Sequence, residues 1–333
     1  MRRAAREGVD AVQELAFWVS PGRGEIRPVT VPEPGPGQVL VRSLRSGVSR
    51  GTETLVFRGA VPPDQHERMR APHQDGDFPG PVKYGYLNVG LVEAGPPSLL
   101  GKTVFCLHPH QTAFVVPATA VTPVPDDVPP GRAVLAGTVE TAVNALWDAA
   151  PLVGDRIAVV GAGMVGCSVA AILAGIPGVR VELVDTDRSR AAVADTLGVR
   201  FVEPAAASGE CDLVVHASAS DAGLARSLEL LAPEGELIEL SWYGDRRVAV
   251  PLGEAFHARR LTIRSSQVGT VAPRRARRSY ADRVALALRL LTDPRFDALV
   301  TGEWPFEALP ALLPRLASGE LPALCVRVTY DSS

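Results

Sequence analysis

A short glycine-rich segment carries the clearest chemistry in the sequence. It begins directly after an apolar run at residues 157–160, opens a helical pattern, and has the spacing G-x-G-x-x-G. In this spacing the first glycine permits a tight turn, the second lets the backbone approach a pyrophosphate, and the third lets the helix pack against the strand. Free amide groups at the start of the helix attract phosphate oxygens. The motif therefore predicts a dinucleotide-binding turn formed by Gly161, Gly163, Met164, Val165 and Gly166.

Two charged residues after the next predicted strand bear on which dinucleotide binds. Asp185 stands about 20 residues beyond the last glycine of the motif, where a carboxylate accepts hydrogen bonds from the adenosine ribose. Its charge would repel a 2′-phosphate, which favours NAD(H). Arg188, with Arg190 just beyond it, could bind that phosphate, so NADP(H) stays open as the alternative.

The ends of two later predicted strands supply further candidates. Parallel strands at residues 213–216 and 237–240 would bring the chain past the nicotinamide half of such a cofactor. Trp242 and Tyr243 follow the second strand and could wall a substrate pocket, although packing in a core is the commoner use of such side chains. The cofactor-binding candidates at these strand ends are His216, Ala217, Ser218 and Ser241.

The elements that must position these residues begin with a strand-rich region. Up to about residue 130 the sequence has short strands separated by turn residues and no long helical pattern, which predicts a β-barrel or a β-sandwich. The strands are predicted at residues 16–19, 39–43, 89–94, 103–107 and 112–116.

Beyond residue 130 apolar strands alternate with amphipathic helices, which predicts an α/β fold with a doubly wound parallel sheet. The strands are predicted at residues 157–160, 181–184, 200–202, 213–216, 237–240 and 261–263. Helices are predicted at residues 134–150, 165–173, 189–197, 222–231, 281–291 and 309–316. Gly198 is predicted to end the third of these helices in a left-handed conformation.

Composition narrows the class of protein. At 333 residues the chain is long enough for about two domains. A formal charge of −3 at pH 7 provides no polycationic surface, so we expect no nucleic acid partner. The four cysteines are scattered without C-x-x-C spacing, which predicts a reduced, cytoplasmic chain without a structural zinc lobe. Residues 157–179 are uncharged, but five glycines and a proline interrupt them, so we expect a strand, a turn and a helix rather than a membrane span.

The order of a β region, a dinucleotide unit and a return segment resembles the medium-chain dehydrogenase/reductase superfamily, the zinc alcohol dehydrogenase-like proteins. The segments SGVSRGTE at residues 46–53, KYGYLNVG at 83–90 and LHPHQ at 107–111 look like its bacteriochlorophyllide a dehydrogenase branch. The resemblance implies a GroES-like β-barrel domain of residues 13–132 and 298–333 and a Rossmann domain of residues 133–297. It also implies an active site for a small-molecule substrate in the cleft between the domains, and a homodimer.

The positions that hold zinc in this superfamily carry other residues here. By resemblance, the first ligand position falls on Ser49, the second on Tyr86 and the third near Gly137. With no thiolate or imidazole at these positions, the sequence offers no ligand set for a tetrahedral zinc ion. We therefore expect a protein without zinc.

Without zinc, a side chain must move the hydroxyl proton of an alcohol or stabilise the developing alkoxide. His110 and His108 are the first candidates because an imidazole titrates near neutral pH. A structural hydrogen bond is the alternative for each of them. Tyr86 could donate a phenolic proton to a carbonyl oxygen, or it could simply pack.

Three further residues complete the catalytic candidates. Ser49 and Thr52 lie where the resemblance implies the first ligand and a proton-relay hydroxyl, although both could cap a turn. Glu140, on a mostly apolar helix, needs a partner if it is buried, and it could orient a histidine or have no catalytic role. For Glu53 we favour a surface or ion-paired carboxylate over a catalytic base.

Three functions are compatible with these residues. The leading hypothesis is a zinc-independent, NAD(H)-linked oxidoreductase that interconverts a secondary alcohol and a ketone. The second is an NADPH-dependent reductase of an activated C=C bond, similar to the quinone reductase branch of the same superfamily. The third is a protein that keeps the dinucleotide fold for sensing or structure without catalysis.

Overall fold

The computed structural model describes residues 13–330, so residues 331–333 of the predicted β-barrel domain lie outside the described range. The first part of the chain is rich in strands. Its elements are β1 (Gln13–Ser20), β2 (Arg23–Thr30), β3 (Gln38–Ser49), α1 (Arg50–Phe57), β4 (Asp75–Gly76), β5 (Val82–Lys83), β6 (Asn88–Ala94), β7 (Thr103–Cys106), β8 (Ala113–Pro117) and β9 (Val121–Pro123).

The second part alternates strands with helices around a six-stranded sheet. Its elements are α2 (Pro130–Ala133), α3 (Ala136–Ala149), β10 (Arg156–Val160), α4 (Met164–Leu173), β11 (Arg180–Val184), α5 (Ala191–Thr196), β12 (Arg200–Val202), β13 (Cys211–His216), α6 (Asp221–Glu229), β14 (Leu231–Glu239), β15 (Thr262–Ser265) and α7 (Tyr280–Leu290). The strands lie in the order β12-β11-β10-β13-β14-β15, and all pairs are parallel. The order reverses between β10 and β13, and open α/β sheets bind ligands in the crevice at such a switch point.

The chain then returns to the strand-rich part through β16 (Val300–Pro305), α8 (Leu309–Ser318) and β17 (Cys325–Thr329). β17 pairs with β16 in parallel and with β3 in antiparallel fashion. This adds the C-terminal strands to a seven-stranded sheet ordered β16-β17-β3-β6-β7-β9, with β8 paired to β3. A second, four-stranded sheet has the order β2-β1-β5-β4.

Helix α3 lies where the two parts of the chain meet. It packs against α4 and α7 on the side of the parallel sheet. On its other side a Cβ at Gly137 would lie only 2.6 Å from Leu87 Cδ2, so this close approach requires a glycine. Leu87 and residues of α3 accordingly share one apolar core.

The predicted fold class is confirmed. All six predicted strands of the parallel sheet are present, and Gly198 has a φ of 72°. The apolar stretch at residues 157–179 folds into β10, the glycine-rich turn and α4. Within residues 13–330, no helix combines the length and the apolar character needed to cross a bilayer. The domain boundaries at residues 132/133 and 297/298 stay a prediction.

Three of the differences from the prediction have a clear local reason. β2 was not predicted because it is a half-exposed strand with charged residues and Pro28. α1 was not predicted because it has only eight residues, one of them Gly51, too few to show a helical period. The helix predicted at residues 222–231 ends at Glu229 because β14 begins at Leu231.

Candidate cofactor and active site

The glycine-rich turn has the shape that its spacing predicts. Gly161 has a φ of 110°, and a Cβ there would lie 2.6 Å from the Ser218 nitrogen. A Cβ at Gly166 would lie 1.9 Å from the Gly161 carbonyl oxygen, whereas one at Gly163 would meet no atom within 4 Å. The first and third glycines are therefore required by packing. The second faces open space, which fits a turn that admits a pyrophosphate.

The first turn of α4 supplies hydrogen-bond donors beside this space. Gly163 precedes the helix, and Met164 and Val165 begin it. The N–H groups of a first helical turn have no partner within the helix and are free to bind an anion. The Ala217 N–H donates to the Val160 carbonyl oxygen at 2.8 Å, which holds the end of β13 beside the turn.

Asp185 follows β11 and is tied to the same turn. Its Oδ2 accepts a hydrogen bond from the Ala162 N–H at 2.6 Å, and its Oδ1 accepts one from the Asp187 N–H at 2.8 Å. The carboxylate therefore lies where an adenosine ribose would be recognised. Arg188 instead forms an exposed ion pair with Glu203, with 2.6 Å between Nη2 and Oε2.

Arg50 is a candidate that the sequence analysis missed. It begins α1, and its Nη1 donates to the Ala323 carbonyl oxygen at 3.1 Å. Partial burial, and then the positive charge of Arg190, lower the pKa of Arg50. Two guanidinium groups thus gather near Asp185 from opposite parts of the fold. No local pattern links residues so distant in sequence, so only the structure identifies the pair.

A buried histidine–carboxylate pair lies at the ends of β13 and β14. The His216 side chain is fully buried, with Nδ1 2.8 Å from Glu239 Oε2 and Nε2 2.6 Å from Ser218 Oγ. The Ser241 N–H donates to Glu239 Oε1 at 2.7 Å, and the Tyr243 hydroxyl donates to Glu239 Oε2 at 3.2 Å. Burial raises the pKa of Glu239, but hydrogen bonds from His216 and Ser241 outweigh burial and bring this pKa below its ordinary value.

The segment after β14 lies against the strand-rich part. A Cβ at Gly244 would lie 3.1 Å from Leu55 Cδ1 and 3.0 Å from the Ala60 carbonyl oxygen. Trp242 packs at the edge of the core that includes Val56 and Phe57 of α1. The ends of β13 and β14 are therefore held close to α1.

A second buried histidine–carboxylate pair lies at α1. His110 Nε2 is 3.0 Å from Glu53 Oε2, and these side chains are 1% and 4% exposed. Glu53 Oε1 accepts a hydrogen bond from the Ser49 N–H at 2.7 Å. His110 Nδ1 lies 2.7 Å from Ser46 Oγ, which lies 2.8 Å from the Tyr330 hydroxyl. These groups form one continuous hydrogen-bonded chain from Tyr330 to Ser49.

Tyr86 extends this chain. Its hydroxyl donates to Ser49 Oγ at 2.7 Å. Burial raises the pKa of Tyr86, and opposing hydrogen bonds with Ser49 and Thr52 do not cancel that effect. The phenol is therefore protonated near neutral pH and can act as a proton donor.

Comparisons with known proteins place this geometry in context. No family model matches the chain. Glucose 1-dehydrogenase from Thermoproteus tenax is 27% identical over 263 residues, which are 68% of this chain and 75% of that protein. A protein from Escherichia coli CFT073 described as a short chain alcohol dehydrogenase, solved with NADH, has a TM-score of 0.76 at 16% identity, over 95% of this chain and 99% of that one. A candidate zinc-binding dehydrogenase from Sinorhizobium meliloti 1021, solved with NADP, has a TM-score of 0.76 at 16% identity over 95% and 99% of the two chains.

The chain has the fold of these dehydrogenases. The fold that the sequence resemblance implies, with a GroES-like and a Rossmann component, is thereby confirmed. The narrower resemblance to the bacteriochlorophyllide a dehydrogenase branch stays a prediction.

His108 and Glu140 lie outside the hydrogen-bonded chain that includes Tyr86. His108 Nδ1 donates to the Pro109 carbonyl oxygen at 2.9 Å, and its ring stacks on Phe114 with 3.7 Å between centroids. Burial lowers the pKa of His108 to about 3, so the neutral ring has a packing role. Glu140 pairs with Arg283, 2.7 Å from Oε1 to Nη2, which links α3 to α7. Glu140 therefore has the partner that its burial requires, but this partner is an arginine, so the alternative in which Glu140 orients a histidine is corrected.

Glu53 is the candidate residue whose environment differs most from the sequence-based expectation. Its carboxylate is paired with a histidine side chain, and it is buried rather than on the surface. Its partner His110 is 57 residues away in sequence. The His110 carbonyl oxygen accepts a hydrogen bond from the Phe17 N–H of β1, and its ring contacts Ser46 of β3, so pairing between distant strands brings it to Glu53.

Of the three positions that the resemblance assigns to zinc ligands, Ser49 and Tyr86 lie in contact, and the residues at all three do not fit a zinc ion. Ser49 and Tyr86 are hydrogen-bonded to each other, and the space beside Gly137 is filled by Leu87. A hydroxyl, a phenol and a glycine are not the thiolate and imidazole ligands that tetrahedral zinc prefers. Residues 13–330 contain no group of three or more His, Cys, Asp or Glu side chains arranged to hold a metal ion.

Proposed function

We propose that the protein is an NAD(H)-dependent oxidoreductase that interconverts a secondary alcohol and a ketone without zinc. The observation that carries this proposal is the hydrogen-bonded pair of Tyr86 and Ser49, which occupies two of the zinc-ligand positions and is backed by buried Glu53. A phenol that stays protonated can do the work of a metal ion at a carbonyl oxygen by donating a hydrogen bond or a proton.

The glycine-rich turn supports the choice of cofactor. The open space at Gly163 and the free amides of α4 suit the pyrophosphate, and Arg50 and Arg190 would add positive charge beside it. Asp185 would bind the adenosine ribose and disfavour a 2′-phosphate. When bound, a nicotinamide dinucleotide supplies hydride transfer.

The residues of this chain supply the proton. In ketone reduction, Tyr86 Oη donates its proton to the carbonyl oxygen, and the resulting phenolate regains a proton from solvent. In alcohol oxidation the reverse occurs: the phenol first loses its proton to solvent, and the phenolate then takes the hydroxyl proton of the alcohol. Glu53 fixes the Ser49 backbone, and His110 fixes Glu53 from the buried side. Both ring nitrogens of His110 are engaged, so His110 is a positioning residue and does not contact the substrate.

A homodimer is also part of the proposal. β15 forms one edge of the parallel sheet, and Ile263 is exposed on it. A strand edge with an exposed apolar side chain favours pairing with a second copy. Light scattering of the wild type and of Ile263→Lys tests this, and a monomeric wild type rejects it.

Titration with NADH and NADPH, followed by nucleotide fluorescence, tests the cofactor. We expect tighter binding of NADH, reduced discrimination in Asp185→Ser, and no change in the control Arg188→Gln because Arg188 is already paired with Glu203. Incubation with NAD⁺ and a panel of secondary alcohols, followed by NADH absorbance, then tests the reaction. Tighter NADPH binding with enone turnover favours the C=C reductase, and binding of neither nucleotide rejects the proposal.

A further inference from the structure

The His216–Glu239 pair lies on the half of the crevice that the turn and Asp185 do not use. Asp185 follows β11, on one side of the switch point between β10 and β13. Because a doubly wound sheet binds one mononucleotide on each side of this point, the ends of β13 and β14 belong to the nicotinamide half. Glu239 is the last residue of β14 and pairs in register with His216 on β13.

With a neutral His216, the pair carries the net negative charge of the Glu239 carboxylate. A neutral His216 satisfies every contact, because Nδ1–H donates to Glu239 and Nε2 accepts from the Ser218 hydroxyl, 2.6 Å away. The Ser241 amide and the Tyr243 hydroxyl then complete the donors around the Glu239 carboxylate. With His216 in this neutral form, every donor is neutral, so the hydrogen bonds stabilise the charge of the carboxylate but do not cancel it.

Other charges near the pair are exposed. Arg246 lies over the Tyr243 ring, 5.5 Å from its centroid, and Asp221 begins α6. Both are solvent-exposed, and water and salt screen their charges strongly. The Glu239 side chain is only 14% exposed, so its charge acts through a medium of lower dielectric constant.

We propose that Glu239, held by His216, Ser241 and Tyr243, discriminates between the oxidation states of the nicotinamide by favouring the positively charged oxidised ring. This inference rests on the proposed function, since it assumes that a nicotinamide dinucleotide binds. A buried carboxylate attracts the cationic ring of NAD⁺ and has no such attraction for the neutral ring of NADH. The pair therefore raises the affinity for NAD⁺ relative to NADH and disfavours release of the oxidised cofactor.

Equilibrium binding of three ligands tests the inference without a substrate. NAD⁺, NADH and ADP-ribose, which has no nicotinamide, are titrated by calorimetry into the wild type and Glu239→Gln. We expect Glu239→Gln to weaken NAD⁺ about tenfold, to change NADH by less than about twofold, and to leave ADP-ribose binding unchanged. Glutamine keeps an acceptor for the Ser241 amide, so the local fold is preserved.

Glu182→Gln is the matched control. Glu182 lies on β11 of the same sheet, and its side chain is 13% exposed, close to the value for Glu239. Its contacts are Arg200 and Ser208 rather than residues at the strand ends. We expect its ratio of NADH to NAD⁺ dissociation constants to equal that of the wild type.

The outcomes separate this inference from the proposed function. Equal weakening of NAD⁺ and NADH in Glu239→Gln overturns the inference and leaves the proposed function intact. Failure of the wild type to bind any dinucleotide rejects the proposed function itself. If Glu239→Gln loses ADP-ribose binding and is therefore misfolded, Tyr243→Lys replaces it. Its ammonium beside the carboxylate should reduce the NAD⁺ preference in the same direction, and an unchanged ratio overturns the inference.

Discussion

The two histidine–carboxylate pairs of this molecule look alike but are connected differently. His110 and Glu53 belong to the strand-rich part and are linked on both sides to hydroxyl groups, ending at Tyr330 and, through Ser49, at Tyr86. His216 and Glu239 join two adjacent strands of the parallel sheet. The first arrangement can position a proton donor. The second holds a charge at the crevice.

His108 shows what the carboxylates contribute. It is buried like His110 and His216, but the only hydrogen-bond partner of its ring in the described part of the chain is the Pro109 carbonyl oxygen. Burial without a carboxylate lowers its pKa to about 3. A buried imidazole next to a carboxylate has a partner for its N–H in either protonation state, which makes it useful for holding that carboxylate in place.

The largest expected effect tests whether the hydrogen-bonded chain that joins His110 and Glu53 to Tyr86 takes part in catalysis. Tyr86→Phe removes the phenolic proton while keeping the ring, and we expect turnover of an identified substrate to fall about 10³-fold, the scale of general acid catalysis. Stopped-flow measurement of hydride transfer, with NADH affinity measured in parallel, checks this.

Tyr84→Phe is the control for that experiment. The Tyr84 ring is buried 6.1 Å from the Tyr86 ring, so loss of its hydroxyl tests for general disturbance of the site. We expect little change in turnover. Comparable losses in both variants would show that Tyr86 contributes packing and not a proton.

The next prediction compares the two pairs by stability. Glu53→Leu leaves the buried His110 Nε2 and Ser49 N–H without their acceptor, so we expect unfolding free energy to fall by about 3 kcal/mol. Glu239→Leu removes a more exposed carboxylate at the crevice, and we expect a loss of about 1 kcal/mol. Urea unfolding of both variants measures the difference, and equal losses would contradict the distinction between the two pairs.

Local spacing allowed the glycine-rich turn and Asp185 to be predicted from sequence, because a strand, three glycines and an acid recur at fixed distances. The parallel sheet was equally accessible, since each strand is a continuous apolar run. These features depend on neighbours along the chain. The fold class follows from them.

The hydrogen-bonded chain around His110 and Glu53 and the His216–Glu239 pair could not be predicted from local spacing. Ser46 and Tyr330 are 284 residues apart, and Glu53 and His110 are 57 residues apart. Glu239 lay inside a predicted apolar strand and gave no separate signal. Their contacts arise from strand pairing between distant segments, which no spacing in one sequence encodes.

A smaller expected effect concerns the pH dependence of stability that comes from His108, a buried histidine without a carboxylate partner. Its pKa of about 3 in the folded protein lies below the ordinary value of about 6.5, so the unfolded chain binds the proton first. Stability is therefore fully present above about pH 6.5 and falls as pH decreases toward 3. Between pH 7 and pH 5 the wild type should lose about 2 kcal/mol from this group.

His108→Phe keeps the stacking on Phe114 and cannot take up that proton. We expect its unfolding free energy, measured in urea at both pH values, to be about 2 kcal/mol less sensitive to acid than that of the wild type. His257→Gln, a change at an exposed histidine, should keep the wild-type sensitivity. The same acid sensitivity in all three proteins would mean that His108 is not held neutral by burial.

The smallest effect concerns the second pair. The pKa of Glu239 in the folded protein is lowered from its ordinary value, because hydrogen bonds from His216 and Ser241 outweigh the opposing effect of burial. The unfolded chain therefore binds this proton first as pH falls, so the stabilisation is present above about pH 4.5 and is lost below it. Glu239→Gln has no carboxyl group to protonate and should lose less stability than the wild type between about pH 5 and pH 4.

Unfolding of both proteins in urea across this interval measures the difference, with Glu182→Gln as the control. If Glu239→Gln is at least as sensitive to acid as the wild type, the donors around Glu239 do not stabilise its charge. The two histidine–carboxylate pairs would then differ only in where they lie in the fold.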